Sequence, residues 1–265
     1  MVFQRQKRHL ERYIQIGKIL AKHGWASLMV RLGVADFLHI RRYTQGLPPA
    51  PVQVRQALEE LGPTFIKLGQ LLSTRPDLLP DSYIAELSKL QDSATPVPLE
   101  EIYAVIEEEF GAPVHEIFPQ FDDVPLATAS LGQTHLAVLP DGTEVVVKVQ
   151  RPGIRSVIDN DLEIIASLVR FIEQHSERAR LYNLSDLVDE FSITLRQEMD
   201  YTREGRHGDQ LRQILADLPF ARVARTFWEY TTSRVLTIER VCGVKITDLE
   251  GLESRGYDKH QIAQN

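Results

Sequence analysis

Apolar residues recur three to four positions apart over the first part of the chain. Leu10, Tyr13, Ile14, Gly17, Leu20, Ala21, Trp25, Leu28 and Leu32 follow this spacing with Lys and Arg between them, which predicts an amphipathic helix. From Leu61 to Ser93 the helical period continues, but Pro76 and Pro80 interrupt it and Pro63 suits a first turn, so two short helices joined by a proline-containing turn are expected. Ile102, Val105, Ile106 and Phe110 form one stripe of a further helix starting near Leu99, with Gly111 as its stop.

After Pro125 the period changes from that of a helix to that of a strand. Gln133–Leu139 and Thr143–Gln150 read as two strands, and Pro140-Asp141-Gly142 between them is turn chemistry, so the segment is a hairpin. Alternation puts Glu144, Val146, Lys148 and Gln150 on one face and Val145, Val147 and Val149 on the other. Helical spacing returns at Leu162, Ile165, Leu168, Val169 and Ile172, then at Leu187, Val188, Phe191 and Leu195. If the second of these helices continues, Glu198 falls within about 20° of Phe191 on the buried face, while Asp200 and Glu204 share another face. A second strand-like pair, Ala221–Thr226 and Ser233–Glu239, leads to a short tail. This order of elements predicts an α+β domain with a small antiparallel sheet, without internal repeats or low-complexity tracts.

With 265 residues the chain can bury a sizeable core, as one large or two small domains. Its single cysteine, Cys242, excludes an intramolecular disulfide and a Cys-rich zinc site, and suits a reducing, cytoplasmic setting. No apolar run approaches the roughly 18 to 20 residues of a membrane span, and no signal-peptide core is seen at the start, so any membrane contact is expected to be peripheral. Charge is divided unevenly: residues 1–55 hold 10 Lys and Arg against 2 Asp and Glu, a net of +8, within a chain whose total is −7. Such an arm suits an anionic membrane surface, at about 1 kcal/mol per basic residue, or equally a helix that docks on its own acidic domain. The Pro- and Gly-rich run Thr44–Pro51 marks a boundary between arm and body. Nothing points to nucleic acid as a partner or to a metal site within the chain.

Candidate chemistry begins at the hairpin. Ala127, Thr128, Ala129, Ser130, Leu131, Gly132 and Gln133 form a small-residue loop ahead of a strand pair that ends near Lys148, the order in which a nucleotide-binding hairpin offers backbone N–H groups and then a point charge to phosphates. The hairpin alone leaves two readings open, a phosphate loop or an edge-strand lysine that reaches solvent, because the loop has one glycine and its methyl groups restrict the backbone. A lysine bracketed by apolar positions calls for a counter-charge, and the segment Arg196–His207 supplies Glu198, Asp200 and Glu204. Lys67 and Gln70, in Lys67-Leu-Gly-Gln70, lie three apart on one helical face opposite Leu61, Phe65, Leu68 and Leu72.

Taken together, KLGQ at Lys67–Gln70, ATASLGQTH at Ala127–His135, VVVK ending at Lys148 and EMDYTRE at Glu198–Glu204 resemble the UbiB family of atypical kinase-like proteins, over about Val54–Asp248. The resemblance implies a protein-kinase-like N-lobe, preceded and interrupted by family-specific helices. It implies that Lys67 and Gln70 form the KxGQ motif, Ala127–Gln133 the Ala-rich nucleotide loop, Glu198 and Asp200 the ExD motif, and Glu204 the partner of Lys148. The KxGQ helix would fold over the nucleotide cleft and meet the ExD carboxylates. Val235–Gly243 resembles the strand and hinge between kinase lobes, whose backbone near Glu239–Val241 would meet an adenine. Thr128 interrupts the alanines, and Gly205 and His207 stand where Ala and Asn are expected.

By the same resemblance the function is that of an ATPase or small-molecule or lipid kinase, using ATP or ADP with magnesium and linked to ubiquinone or other prenyl-quinone and lipid metabolism at a membrane surface. Four segments are expected: a basic helical arm and linker over 1–50, the KxGQ extension over 51–118, the N-lobe over 119–245 and the start of a C-lobe over 246–265. The Asp that orients the acceptor and the Asn and Asp that hold magnesium belong downstream of the hinge, so the chain is expected to lack its catalytic C-lobe. Two imitations of catalytic motifs, His207-Gly208-Asp209 and Glu109-Phe110-Gly111, precede the hinge and are set aside. The competing reading is a non-catalytic membrane-docking or partner-binding module.

Overall fold

The computed structural model describes residues 2–25, 49–92, 95–175 and 180–264. The C-terminal part of the expected arm helix and most of the linker lie outside these. The chain forms two compact units, the first drawn from Met1–Ile102, Ala127–Gln133 and Gln150–Met199, the second from Tyr103–Leu126, Thr134–Val149 and Asp200–Asn265.

The first unit is built on helices α1 (Val2–Lys22), α2 (Pro51–Leu61), α3 (Pro63–Leu72), α4 (Asp81–Leu87), α7 (Ile154–His175) and α8 (Leu184–Glu198), with α5 (Leu99–Phe110) beginning in it. Their apolar stripes share one core that includes Ile16, Leu61, Phe65, Leu162 and Leu195, and Leu131 of the small-residue loop reaches into it. Gly69 lets α3 approach its neighbours at backbone distance, since a Cβ there would collide with Leu90 and come within 2.8 Å of Leu58. The described part of the basic arm docks on the body of its own unit. Arg12 grips Asp161, which is wholly buried, through Nε to Oδ1 at 2.7 Å and Nη2 to Oδ2 at 2.9 Å, and also donates to the Leu61 carbonyl at 2.6 Å. Lys22 pairs with Glu60 at 2.8 Å and His9 with Glu163 at 3.2 Å.

The antiparallel sheet has the order β1 (Gln120–Phe121), β3 (Gly132–Val138), β4 (Glu144–Gln150) and β5 (Val235–Glu239), with β2 (Ala127–Thr128) paired to β3 off this path, and the second unit holds β1, β5 and all but the end residues of β3 and β4. The short α6 (Val114–Ile117) leads into β1, and α10 (Leu249–Ser254) and α11 (Lys259–Gln264) follow β5. Val145, Val147 and Val149 are fully buried, so the expected inward face of β4 is the one that packs. Helix α9 (Tyr201–Ile214) lies on β5. The expected strand Ala221–Thr226 does not form; the segment meets β5 through an isolated bridge, Thr226 to Ile238, through the Glu239 N–H donating to the Arg225 carbonyl at 2.8 Å, and through Arg222 on the Glu239 carboxylate. In strand alternation each face of the segment would carry one arginine, Arg225 with Ala221 and Val223, Arg222 with Ala224 and Thr226, so neither face is apolar enough to bury.

His135 is fully buried on β3, its ring stacked on Phe121 at 4.8 Å and its Nδ1 2.7 Å from the Asp122 carbonyl, which makes Nδ1 the donor. Burial holds its pKa below the ordinary histidine value. The unfolded chain therefore takes up this proton first, and its contribution to stability is lost as pH falls below about 6.5.

Two outcomes are expected. Arg12→Ala leaves the buried Asp161 carboxylate uncompensated and should destabilise the first unit by about 3 to 5 kcal/mol in urea unfolding, whereas Arg12→Leu with Asp161→Leu should lose much less. Equal losses would contradict this. Melting followed from pH 7 to 5 should show a decline that His135→Gln flattens.

Candidate functional site

Lys148 stands in the middle of β4, opposite Leu236 of β5, on the strand face away from the three buried valines. Its Nζ meets Glu204 Oε2 at 2.7 Å and lies 4.8 Å from the centre of the Tyr201 ring. Tyr201 is almost completely buried and so gives the ammonium a fixed platform. The lysine side chain is 30% exposed and the glutamate 52%, so the pair is worth about 0.2 to 1 kcal/mol, and the aromatic face about as much again. Such a pair adds little to stability; its effect is to hold Lys148 in one place.

Local sequence explains how Glu204 comes to this lysine. Helix α8 ends at Glu198, and Asp200 starts α9 as its N-cap, with extended backbone and Oδ1 accepting from the Thr202 N–H at 3.1 Å and the Thr202 hydroxyl at 2.7 Å. The expected continuous helix is thus corrected to two helices. One consequence of the continuous helix falls with it, since Asp200 does not share a helical face with Glu204; Glu198 keeps the expected phase near Phe191 within α8 but, as the last residue of that helix, is 41% exposed. Glu204 lies in the first turn of α9, where the helix dipole favours a carboxylate. Gly205, where Ala was expected, is buried against β5. A Cβ there would lie 3.0 Å from Trp228, 3.1 Å from Thr226 and 3.4 Å from Leu236, so glycine brings the start of α9 close to the sheet.

In the first unit Lys67 of α3 meets Glu198 Oε2 at 2.6 Å. The other halves of those two motifs have different partners. Gln70 Nε2 donates to the Leu90 carbonyl at 3.0 Å, and Asp200 serves as the cap just described.

The small-residue loop closes on itself through Ala129 N–H to the Gly132 carbonyl at 2.8 Å. Ala127 and Ala129 are exposed and Thr128 is half-buried, whereas Ser130, Leu131, Gly132 and Gln133 are buried. The Gln133 side chain is engaged with the main chain of Val97, accepting its N–H at 2.8 Å and donating to its carbonyl at 3.4 Å. At the expected hinge, Val241 is exposed and the Glu239 side chain is taken by Arg222. Of the two motif imitations, Asp209 accepts from the Trp228 indole at 2.7 Å and pairs with Arg212, and Phe110 packs edge-on against Phe118.

Sequence reasoning passed over Tyr201 as the platform under Lys148. Its signal was present, because an aromatic three residues before Glu204 lies on the same side of a helix that starts at Asp200.

A family of known proteins, the ABC1 atypical kinase-like domain, matches residues 89–265. The chain is 41% identical over 212 residues to a probable protein kinase UbiB of Cellvibrio japonicus, covering 80% of this chain and 38% of that protein. It is 36% identical over 264 residues to a probable protein kinase UbiB of Pseudomonas fluorescens, covering 96% and 49%. It is 41% identical over 213 residues to the chloroplastic protein ACTIVITY OF BC1 COMPLEX KINASE 7 of Arabidopsis thaliana, covering 79% and 30%. Among solved structures, the complex of Rv3197 with erythromycin from Mycobacterium tuberculosis aligns with a TM-score of 0.53 at 30% identity, over 77% of this chain and 50% of that one. The chain therefore spans between about a third and a half of the length of these curated relatives. Its match over more than half of its residues places it in the ABC1, or UbiB-like, family of atypical kinase-like proteins.

Proposed function

We propose that this chain is the nucleotide-holding part of an ATPase or small-molecule or lipid kinase. The observation that carries the reading is the Lys148–Glu204 pair on the Tyr201 ring, 2.7 Å between charged atoms and one strand after the Ala-rich loop. A bound ATP or ADP with its magnesium would supply the phosphoryl group and the means to neutralise its charge. Lys148 would contact the α and β phosphates, Glu204 would aim it, the backbone of Ala127–Gln133 would face phosphate oxygens, and the main chain at Glu239–Val241 would meet the adenine. Lys148 fits the role because its ammonium is partly solvated and held by a weak pair, so a phosphate can take over from the carboxylate at small cost. Lys67 and Glu198 join the KxGQ helix to the ExD segment, which supports regulation by the helical extension.

The biological setting in this proposal is ubiquinone or other prenyl-quinone and lipid metabolism at a membrane surface. In this proposal membrane contact comes from basic residues of the arm, and no described helix is long and apolar enough to cross a bilayer. Groups that orient an acceptor and ligate magnesium would come from the additional length seen in the relatives.

A fluorescent ADP analogue titrated into the chain should bind, and Lys148→Met should weaken it by about tenfold or more, the loss of one well-placed charge; unchanged affinity would overturn the reading. In a chain extended to the length of its relatives, the same substitution should abolish nucleotide-dependent turnover. Double-mutant cycles on stability should couple Lys148 to Glu204 by about 0.2 to 1 kcal/mol and leave Lys148 uncoupled from Glu198. A larger coupling to Glu198 would reverse the assignment of carboxylates.

A further inference from the structure

We propose that Arg151 is a positioning residue that braces the Ala-rich loop against the stiff Thr95-Pro96-Val97-Pro98 segment, so that this loop works as a rigid cradle. The inference rests on the nucleotide reading of the loop given above.

Arg151 follows β4 directly, and all of the contacts involved lie within the first unit. Its main-chain N–H donates to the Leu131 carbonyl at 3.0 Å, Nε to the Ala129 carbonyl at 3.2 Å and Nη2 to the Thr95 carbonyl at 2.6 Å. One residue thus holds two alternate carbonyls of the loop. In a planar trans peptide the carbonyl of one residue and the N–H of the next point in opposite directions. With the Ala129 and Leu131 carbonyls turned toward Arg151, the N–H groups of Ser130 and Gly132 are directed away from it. Arg151 therefore sets the orientation of the peptide planes on which backbone recognition of phosphate depends.

The anchor on the other side is stiff by its own sequence. Pro96 and Pro98 have fixed φ, and each restricts the residue before it, Thr95 and Val97, to extended backbone. The buried Gln133 side chain ties Val97 to the C-terminal end of the loop through both its N–H and its carbonyl. Upstream, Gln70 of the KxGQ helix donates to the Leu90 carbonyl in the 3-10 turn Ser88–Asp92 that leads toward this segment. A glycine-rich loop loses backbone freedom when it closes on a nucleotide; a loop braced at Ala129, Leu131 and Gln133 has lost that freedom beforehand. This accounts for a phosphate loop that holds a single glycine.

The guanidinium fork is required because it reaches the Ala129 and Thr95 carbonyls together, whereas a lysine ammonium can serve only one with good geometry. The test compares the wild-type chain with Arg151→Gln and Arg151→Lys in two measurements, with thermal melting as the check on folding. Hydrogen exchange without nucleotide should quicken by about tenfold in the peptide covering Ala127–Gln133 of Arg151→Gln and stay unchanged elsewhere in the first unit. Titration with the fluorescent ADP analogue should show affinity about tenfold weaker in Arg151→Gln and an intermediate loss in Arg151→Lys, whose fold is the less perturbed of the two. Unchanged loop exchange in both variants overturns the brace, whatever the nucleotide does. Faster loop exchange with unchanged affinity overturns its role in nucleotide binding. Absence of binding by the wild-type chain overturns the nucleotide reading, and the exchange measurement then still decides the brace.

Discussion

The arrangement of the site depends on one hydrogen-bonded cap. Asp200 accepts from Thr202 and so ends one helical course and begins another within two residues of Glu198. Had the helix run on, Glu204 would lie on a face set by α8. Glu198 ends α8 beside Lys67, and the cap resets the phase so that Glu204 opens α9 beside Lys148. The short run Glu198–Glu204 thereby gives each of two lysines its own carboxylate. Backbone geometry at Asp200, worth about 1 kcal/mol as a cap, decides a matter that the charges themselves would leave degenerate.

Glycine acts in a second way at the same place. Gly205 sits against Thr226, Trp228 and Leu236, where a methyl group would press tightly on Trp228 and Thr226, and Trp228 is itself held by Asp209 of α9. The first turn of α9, with Tyr201 and Glu204, is therefore drawn onto β5, whose register with β4 puts Leu236 opposite Lys148. Close approach at Gly205 and strand pairing at Leu236 together fix the distance between lysine and glutamate. The departure from the expected alanine suits this close packing.

Much of this was legible in the sequence, for identifiable reasons. The hairpin was readable because its alternation of valines with polar residues is strict and Asp141-Gly142 marks the turn. Helix α5 was readable to its end residues because its stripe runs unbroken to Phe110. The four short motifs identified the family because their order and spacing are specific even where each alone is weak. The helix break at Met199–Asp200 was not readable, since good helix formers such as Gln197, Glu198 and Met199 run straight up to it and an Asp in the middle of a charged run gives no sign that it is a cap until Thr202 is seen to donate to it. The strand expected at Ala221–Thr226 failed because Val223 and Thr226 suggest a strand, while Arg222 and Arg225 put a charge on each of its two faces. The other partners of Gln70 and Asp200 lay beyond reach for another reason: each is set by a main-chain group that local patterns do not describe.

The two carboxylate pairs described for Arg12 and Lys148 differ in a property that matters over time. Asp161 has no contact with solvent and is held by a guanidinium in two places, so dissolved salt hardly affects it and its partner cannot readily change. Glu204 is half in water and held through a single contact, so the ions around it compete with the lysine continually. One pair behaves as a permanent joint of the fold and the other as a contact in constant exchange with its surroundings. The lysine offered to a passing anion is the one whose partner is easily displaced, and the occupancy of that contact should follow the ionic strength of the compartment in which the protein works.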